Sequence, residues 1–194
     1  MCIVYPVFAG NTQHYYFKTI DIRNGLSQNT VYQIIQDKNG FMWFGTKDGL
    51  NRYDGLSCRV YKKENSSLGR NFITALYEDT RGDIWIGTDG GVFIYNPQQD
   101  SFIAFDIVSN TGKVIDDFVT QIEGDGDGSV WISVENQGLF RFQLDSKQLV
   151  SYLPQTPMSN ITRFWMNDGQ LWLALYALLI GRYMACIIVC MWLP

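Results

Sequence analysis

Residues 73–95, ITALYEDTRGDIWIGTDGGVFIY, read as three short strands joined by two tight turns. Ile73 to Glu78 is rich in β-branched and aromatic residues, which suit a pleated, half-buried surface. Asp79-Thr80-Arg81-Gly82 is polar and ends in glycine, the chemistry of a turn. The next run, Asp83 to Thr88, carries Trp85 and then Gly87, whose missing side chain lets a neighbour come close. Asp89-Gly90-Gly91 supplies a hairpin turn and Val92 to Tyr95 a third strand. A meander this short cannot bury its faces alone, so it predicts copies of itself.

The chain supplies them. Val31 to Tyr53, VYQIIQDKNGFMWFGTKDGLNRY, repeats the pattern 42 residues earlier, with Trp43 for Trp85. Asp37, Gly40, Gly45, Gly49 and Tyr53 keep the same offset to Asp79, Gly82, Gly87, Gly91 and Tyr95. Val119 to Phe142 is a third copy, with Trp131 46 residues after Trp85 and Ser133 in place of the glycine. A fourth begins at Ile161, ITRFWMNDGQLWLALY, with Trp172 41 residues after Trp131. Each third strand is followed by a fourth candidate: Cys58 to Tyr61, Phe102 to Phe105, and Leu149 to Leu153. Four strands in a period of forty-odd residues, with no helical spacing, predict an all-β chain of four-stranded antiparallel β-propeller blades. The blade repeats fall at about 25–67, 68–112, 113–157 and 158–176, an incomplete ring of three blades plus part of a fourth within 14–176. The recurring Trp43, Gly45, Trp85, Gly87, Trp131 and Trp172 are read as structural repeat positions, the tryptophans as packing between blades rather than a sugar-stacking platform.

The spacing I-x-x-[IL]-x-x-D-x-x-G-x-[IM]-W-[IF]-G-T-x-x-G-[LV]-x-x-Y resembles the two-component regulator propeller repeat. That repeat is found in the periplasmic sensor half of bacterial hybrid two-component histidine kinases. Gly25-Leu26-Ser27-Gln28-Asn29 resembles the GLS-x-N opening of such regions. The resemblance runs from about Phe17 to Tyr176 and is strongest in the first two copies. It implies a ligand-sensing domain, often for a glycan fragment, in a periplasmic or extracytoplasmic location. It also implies a parent anchored in the inner membrane, with further blades and kinase modules downstream of this N-terminal piece.

Composition narrows the classes. Net charge is −4 with 15 Lys plus Arg and no basic run, which argues against a nucleic-acid partner. The cysteines at 2, 58, 186 and 190 make no disulfide framework within the repeats, and Cys186 and Cys190 lack nearby His, Asp or Glu for zinc. Asp125-Gly126-Asp127-Gly128-Ser129 invites a calcium reading, but its alternation stops after two aspartates and it aligns with the turns of the other copies. His14 is the sole histidine, so neither a Ser-His-Asp nor a Cys-His set is in view. The pairs Asp116-Asp117 and Glu123-Asp125 are not tied to a cleft by sequence. No Walker A, G-x-G-x-x-G, kinase or receiver motif is present, and nothing calls for a cofactor. The expectation is a non-catalytic sensor. The alternatives are part of a secreted propeller enzyme acting on glycans and an autonomous protein-binding propeller.

The ends read differently from the blades. Residues 1–9 of MCIVYPVFAG resemble the remnant of a signal peptide without its charged start, the alternative being an irregular first strand. His14 to Ile22 alternates like an outer strand. Residues 177–194 are an apolar tail. The favoured reading is a disrupted or truncated frame near Ala174, and the rival is a membrane segment with Arg182 in its middle. Open blade faces and an apolar tail predict self-association. The purified chain is expected to aggregate or elute as an associated species on size-exclusion chromatography with light scattering. A monodisperse monomer with one sharp thermal transition contradicts that.

Overall fold

The computed structural model describes residues 17–152, 161–167, 170–177 and 185–192. The first sheet runs β1 (Val31–Gln36), β2 (Met42–Thr46), β3 (Gly49–Tyr53) and β4 (Cys58–Tyr61). The second repeats it as β5 (Ile73–Glu78), β6 (Ile84–Thr88), β7 (Gly91–Asn96) and β8 (Ser101–Ala104). The third is β9 (Val119–Gly124), β10 (Ser129–Val134), β11 (Gly138–Gln143) and β12 (Gln148–Ser151). A fourth holds β13 (Ile161–Asn167), β14 (Gln170–Ala177) and β15 (Ala185–Trp192). All pairings are antiparallel between neighbours in sequence. The first strands lie side by side, β1 against β5, β5 against β9 and β9 against β13, so the sheets stand as propeller blades around a common axis.

The turn aspartate does two jobs in each of the first three blades. One oxygen of Asp79 accepts the amides of Arg81 and Asp83 at 2.9 and 3.0 Å, closing the turn after β5. The other accepts the indole N–H of Trp85 at 2.9 Å. Asp37 holds Asn39, Phe41 and Trp43 in the same way. Asp125 holds Asp127, Ser129 and Trp131, the indole bond lengthening to 3.3 Å. Burial pushes the Asp125 carboxyl up, but these hydrogen bonds outweigh it and the net direction is down. The Asp125 segment is therefore a turn.

Held by its edge, each indole lays its ring on the following blade. Trp43 meets Tyr95 edge-on at 5.0 Å, and Trp85 meets Phe142 at 5.5 Å. Trp131 packs with Phe164, Leu171 and Leu173 of the fourth sheet. The three indoles are at most 1% exposed. Two residues further on, a Cβ on Gly45 would come 2.8 Å from Ile73, and one on Gly87 would come 2.7 Å from Val119. Those glycines seat the first strand of the next blade. Ser133 fills the equivalent place in the third blade and donates to the Ile161 carbonyl at 3.3 Å.

Polar groups tie blades one and two together further out. Tyr61 and Tyr95 both donate to Asp100 at 2.8 Å, Arg52 donates to Tyr95 at 2.8 Å, and Arg59 pairs with Asp100. Burial pushes both phenols up. It pushes Asp100 up as well, but the phenol bonds and the Arg59 and Arg52 charges reverse the sign and leave it lowered.

Three parts of the chain differ from the sequence expectation. The described part of His14 to Ile22 is no strand. Phe17 to Ile20 is irregular and Ile22–Asn24 is a 3-10 turn, because the Asp21 carboxylate caps the Arg23 amide at 2.8 Å. Gly25 then takes φ 99°, a conformation that favours glycine, Leu26 is buried, and Ser27 donates its amide to Asn51 at 2.8 Å. In this way the GLS-x-N segment straps onto blade one.

The tail carries a strand: β15 pairs with β14 from Gln170–Trp192 to Ala177–Ala185. The β-branched run Ile187-Ile188-Val189 suits it. A membrane-spanning helix over 171–193 is thus not what the described residues form, and none of their helices is long and apolar enough to cross a membrane. Residues 1–9 and His14 lie outside the described residues.

Trp172 departs from its three counterparts. It is half-buried and stacks on Trp165 at 6.1 Å and 5°. Met166 stands six residues before it where the other blades have aspartate, and the turn shrinks until Asn167 pairs with Gln170.

Replacing Asp79 with alanine leaves two turn amides and a buried indole N–H without their acceptor. At about 1–3 kcal/mol per unsatisfied buried group, the expected loss is about 2–4 kcal/mol, read from urea unfolding. Asp37→Ala, whose indole bond is 2.8 Å, is expected to cost about as much. A loss well under 1 kcal/mol for both would show that the turns and indoles hold without the aspartate.

Candidate functional site

Every first strand carries a β-bulge at the same height, at Tyr32, Thr74, Thr120 and Thr162. Bulges re-aim the side chains next to them. Beyond them, Gln33, Ala75, Gln121 and Arg163 stand opposite Gly45, Gly87, Ser133 and Ala174. Two residues on, Ile35, Tyr77, Glu123 and Trp165 stand opposite the four blade tryptophans. Together the first strands line an axial cleft of about 300 Å³ that reaches from Gln33 and Ile35 to Arg163.

Its polar side chains fall into two groups. Gln121 is committed to structure. Its amide donates to the Phe164 carbonyl and accepts from the Phe164 N–H, both at 2.8 Å, joining β9 to β13 where no sheet ladder does. Thr120 is committed too, sharing a hydroxyl hydrogen bond of 2.7 Å with Ser133. Thr74 is the counterpart of Thr120, but Gly87 stands where Ser133 would answer it. Its hydroxyl is buried without a hydrogen-bond partner among the described residues, in a side chain only 8% exposed. Glu123 and Arg163 enter no ion pair or side-chain hydrogen bond among the described residues. Tyr77 lines the same cleft, its hydroxyl lying where a side chain at Gly124 would be. Burial pushes that phenol up, and the charges of Asp79, Asp125, Glu123 and Glu78 add to it, so it stays a neutral donor.

A wider groove of about 430 Å³ lies against the turns of blades one and two. Its cations are occupied: Lys38 donates to the Arg81 carbonyl at 2.9 Å, and Arg81 pairs with Asp145 at 2.5 Å. At the opposite end of the first strands, Tyr32, Phe72 and Phe118 form a row of rings spaced 4.9 and 5.6 Å apart.

The residues singled out by sequence lie elsewhere. Trp43, Trp85 and Trp131, with Gly45 and Gly87, are spent between blades. Asp116 accepts from Gln137 at 2.7 Å, and Asp117 from the Phe118 amide at 2.7 Å. Of the Glu123-Asp125 pair, Asp125 closes its turn and Glu123 alone lines the cleft. Cys58 is a free, half-buried thiol. No group of three or more His, Cys, Asp or Glu that could hold a metal ion occurs among the described residues. Gln33, Thr74, Tyr77 and Arg163 were missed because they share no residue type. Reading the repeat alignment at its varying positions would have found them.

Residues 25–48 and 67–90 match the family model described as two component regulator propeller. A histidine kinase P4 of Formosa agariphila is 45% identical over 49 residues, 25% of this chain and 4% of that protein. Two solved structures from B. thetaiotaomicron share the fold. One is the extracellular domain of a putative hybrid two component system, with TM-score 0.70 and 27% identity over 81% of this chain and 23% of that one. The other is the extracellular domain of a putative one component system, with TM-score 0.68 and 28% identity over 81% of this chain and 24% of that one. The chain therefore spans about a quarter of each domain and a small fraction of the kinase.

Gln121→Ala removes the amide clasp on Phe164. The expected result is faster hydrogen exchange at the Phe164 amide, corresponding to a local loss of about 1–3 kcal/mol, with little change in the first two blades. Unchanged exchange there would mean that side-chain packing alone holds β13.

Proposed function

We propose that this chain, whose first two blades are two-component regulator propeller repeats, is a ligand-sensing and itself non-catalytic part of a two-component signalling protein. Its ligand is a small glycan fragment, it works on the extracytoplasmic side, and its parent is anchored in the inner membrane. The observation that carries this reading is the fold and sequence shared with the extracellular domains of a putative hybrid two component system and a putative one component system. The site geometry supports it. The cleft offers hydrogen-bonding groups that the fold does not use, and no nucleophile held by a base stands in it among the described residues. Sensing needs binding energy that differs between two states of the parent, and a cleft between blades is placed to supply it.

Isothermal titration of the purified chain with an oligosaccharide panel, run beside assays for new reducing ends and unsaturated sugars, tests this. Saturable binding without turnover is expected. Turnover that Glu123→Gln abolishes would overturn the non-catalytic part. A chain that binds none of the panel would overturn the sensing part.

A further inference from the structure

We infer that a second copy of this chain docks on blade one, head to tail, with the Trp165 face of its blade four set against the Ile34 face. Two such joints close two copies into one ring.

Every blade turns one face back toward the blade before it. On that face Ile34, Leu76, Ile122 and Phe164 share a register position, opposite Phe44, Ile86, Ile132 and Leu173. Leu76, Ile122 and Phe164 are at most 3% exposed, because the preceding blade covers them, whereas Ile34 is 51% exposed. The residue that opens each first strand repeats the contrast. Ile73, Val119 and Ile161 are at most 2% exposed, and Val31 is half-buried. The strap before blade one covers only part of this face, packing Ile20 and Leu26 with Phe44 and Tyr53. Around Ile34 the face is apolar, exposed and without a sheet against it among the described residues.

The internal joints show what covers such a face. Ile35 of blade one packs in the cluster that holds Leu76, and Tyr77 of blade two in the cluster that holds Ile122. Each of these stands opposite its own blade's tryptophan. In blade four that pair is Trp165 and Trp172, stacked on each other, with Trp165 40% exposed. Ala174 stands where Gly45 and Gly87 admit Ile73 and Val119, so a small residue marks the seat for Val31 of the second copy. Gln33 and Gln36 flank Ile34 in β1, so no like charge there meets Arg163. Ile34 and Trp165 are both exposed in one molecule, so blade four does not cover blade one of its own chain. The joint continues an interface that the chain already makes three times.

A head-to-tail contact either closes into a ring or runs on as a filament. Four sheets from each copy make eight, within the about four to eight blades of propellers. Closure also completes the axial cleft, which reaches from Gln33 to Arg163 in one chain. Gln33 of the second copy then stands next to Arg163, and each copy walls the cleft of the other.

Light scattering on the full chain after size-exclusion chromatography tests the joint. The expected mass is twice the 22.3 kDa of the chain. Ile34→Asp and Trp165→Lys replace exposed side chains and are expected to stay folded, as read by circular dichroism and a thermal melt. Each sets a charge against apolar surface at both joints and is expected to halve the mass. Mixed one to one, they are expected to restore it, since one joint is then native and the other sets lysine against aspartate. A monomeric wild type overturns the proposal, and so does association that survives both substitutions. Loss with Ile34→Asp alone, or a mixture that stays monomeric, overturns the head-to-tail order. A series longer than two copies that both substitutions abolish supports the joint and overturns closure.

Discussion

The tryptophan of each of the first three blades belongs to two blades at once. Its N–H is fixed by the aspartate of its own turn, and its ring lies against the next blade. Among the described residues no backbone ladder crosses from blade to blade. Single backbone bonds, Gly49 to the Asn71 carbonyl at 2.7 Å and Gly91 to the Asp117 carbonyl at 3.1 Å, tie those hairpins to the segment entering the next blade. Side chains carry the rest of the interface. A free indole would sample several orientations. One pinned at its edge presents a single face, and the next sheet packs on it at a set distance. Two residues along, Gly45 and Gly87 remove the side chain where Ile73 and Val119 come in. The gap between sheets is thus filled by an indole at one height and closed onto bare backbone at another. Twisted sheets need this unequal spacing to pack face to face.

Blade four lacks part of this device. It has Met166 in place of the aspartate, a shortened turn, and Ala174 in place of the glycine. Its strand register is still that of the other blades, with Trp172 opposite Trp165 as Trp43 is opposite Ile35. Backbone pairing alone keeps the register. The buried, edge-on indole does not survive: Trp172 stacks flat on Trp165, which is 40% exposed. Register and interface are therefore separable properties of a blade.

The architecture was legible because spacing encodes it. Trp43 and Trp85, with the glycines around them, recur at one offset, and such recurrence means repeated packing. The turn aspartates were legible only as turn residues. That Asp37, Asp79 and Asp125 also hold an indole six residues on depends on where the turn delivers the ring. The strand in the tail was not legible, because its apolar run ALLIGRYMACIIVCMW has no alternation to mark one, and β15 is defined by pairing with β14. The segment before blade one misled for the opposite reason. Its alternation was strand-like, but Asp21 caps a 3-10 turn within it.

The cleft was illegible for a reason built into repeats. Positions that recur are those every blade needs for packing, so they describe the scaffold. Positions that differ from blade to blade at equivalent register are free of that demand. Gln33, Ala75, Gln121 and Arg163 share one place in the fold, and Ile35, Tyr77, Glu123 and Trp165 another, with no residue type in common. Alike residues there would give a ring of repeated contacts around the axis. Unlike ones give a wall with a cation, a carboxylate, an amide and a phenol at separate bearings. A repeat fold thus acquires an asymmetric surface at the positions where its repetition lapses, and the axial face of the first strands is where this chain lets it lapse.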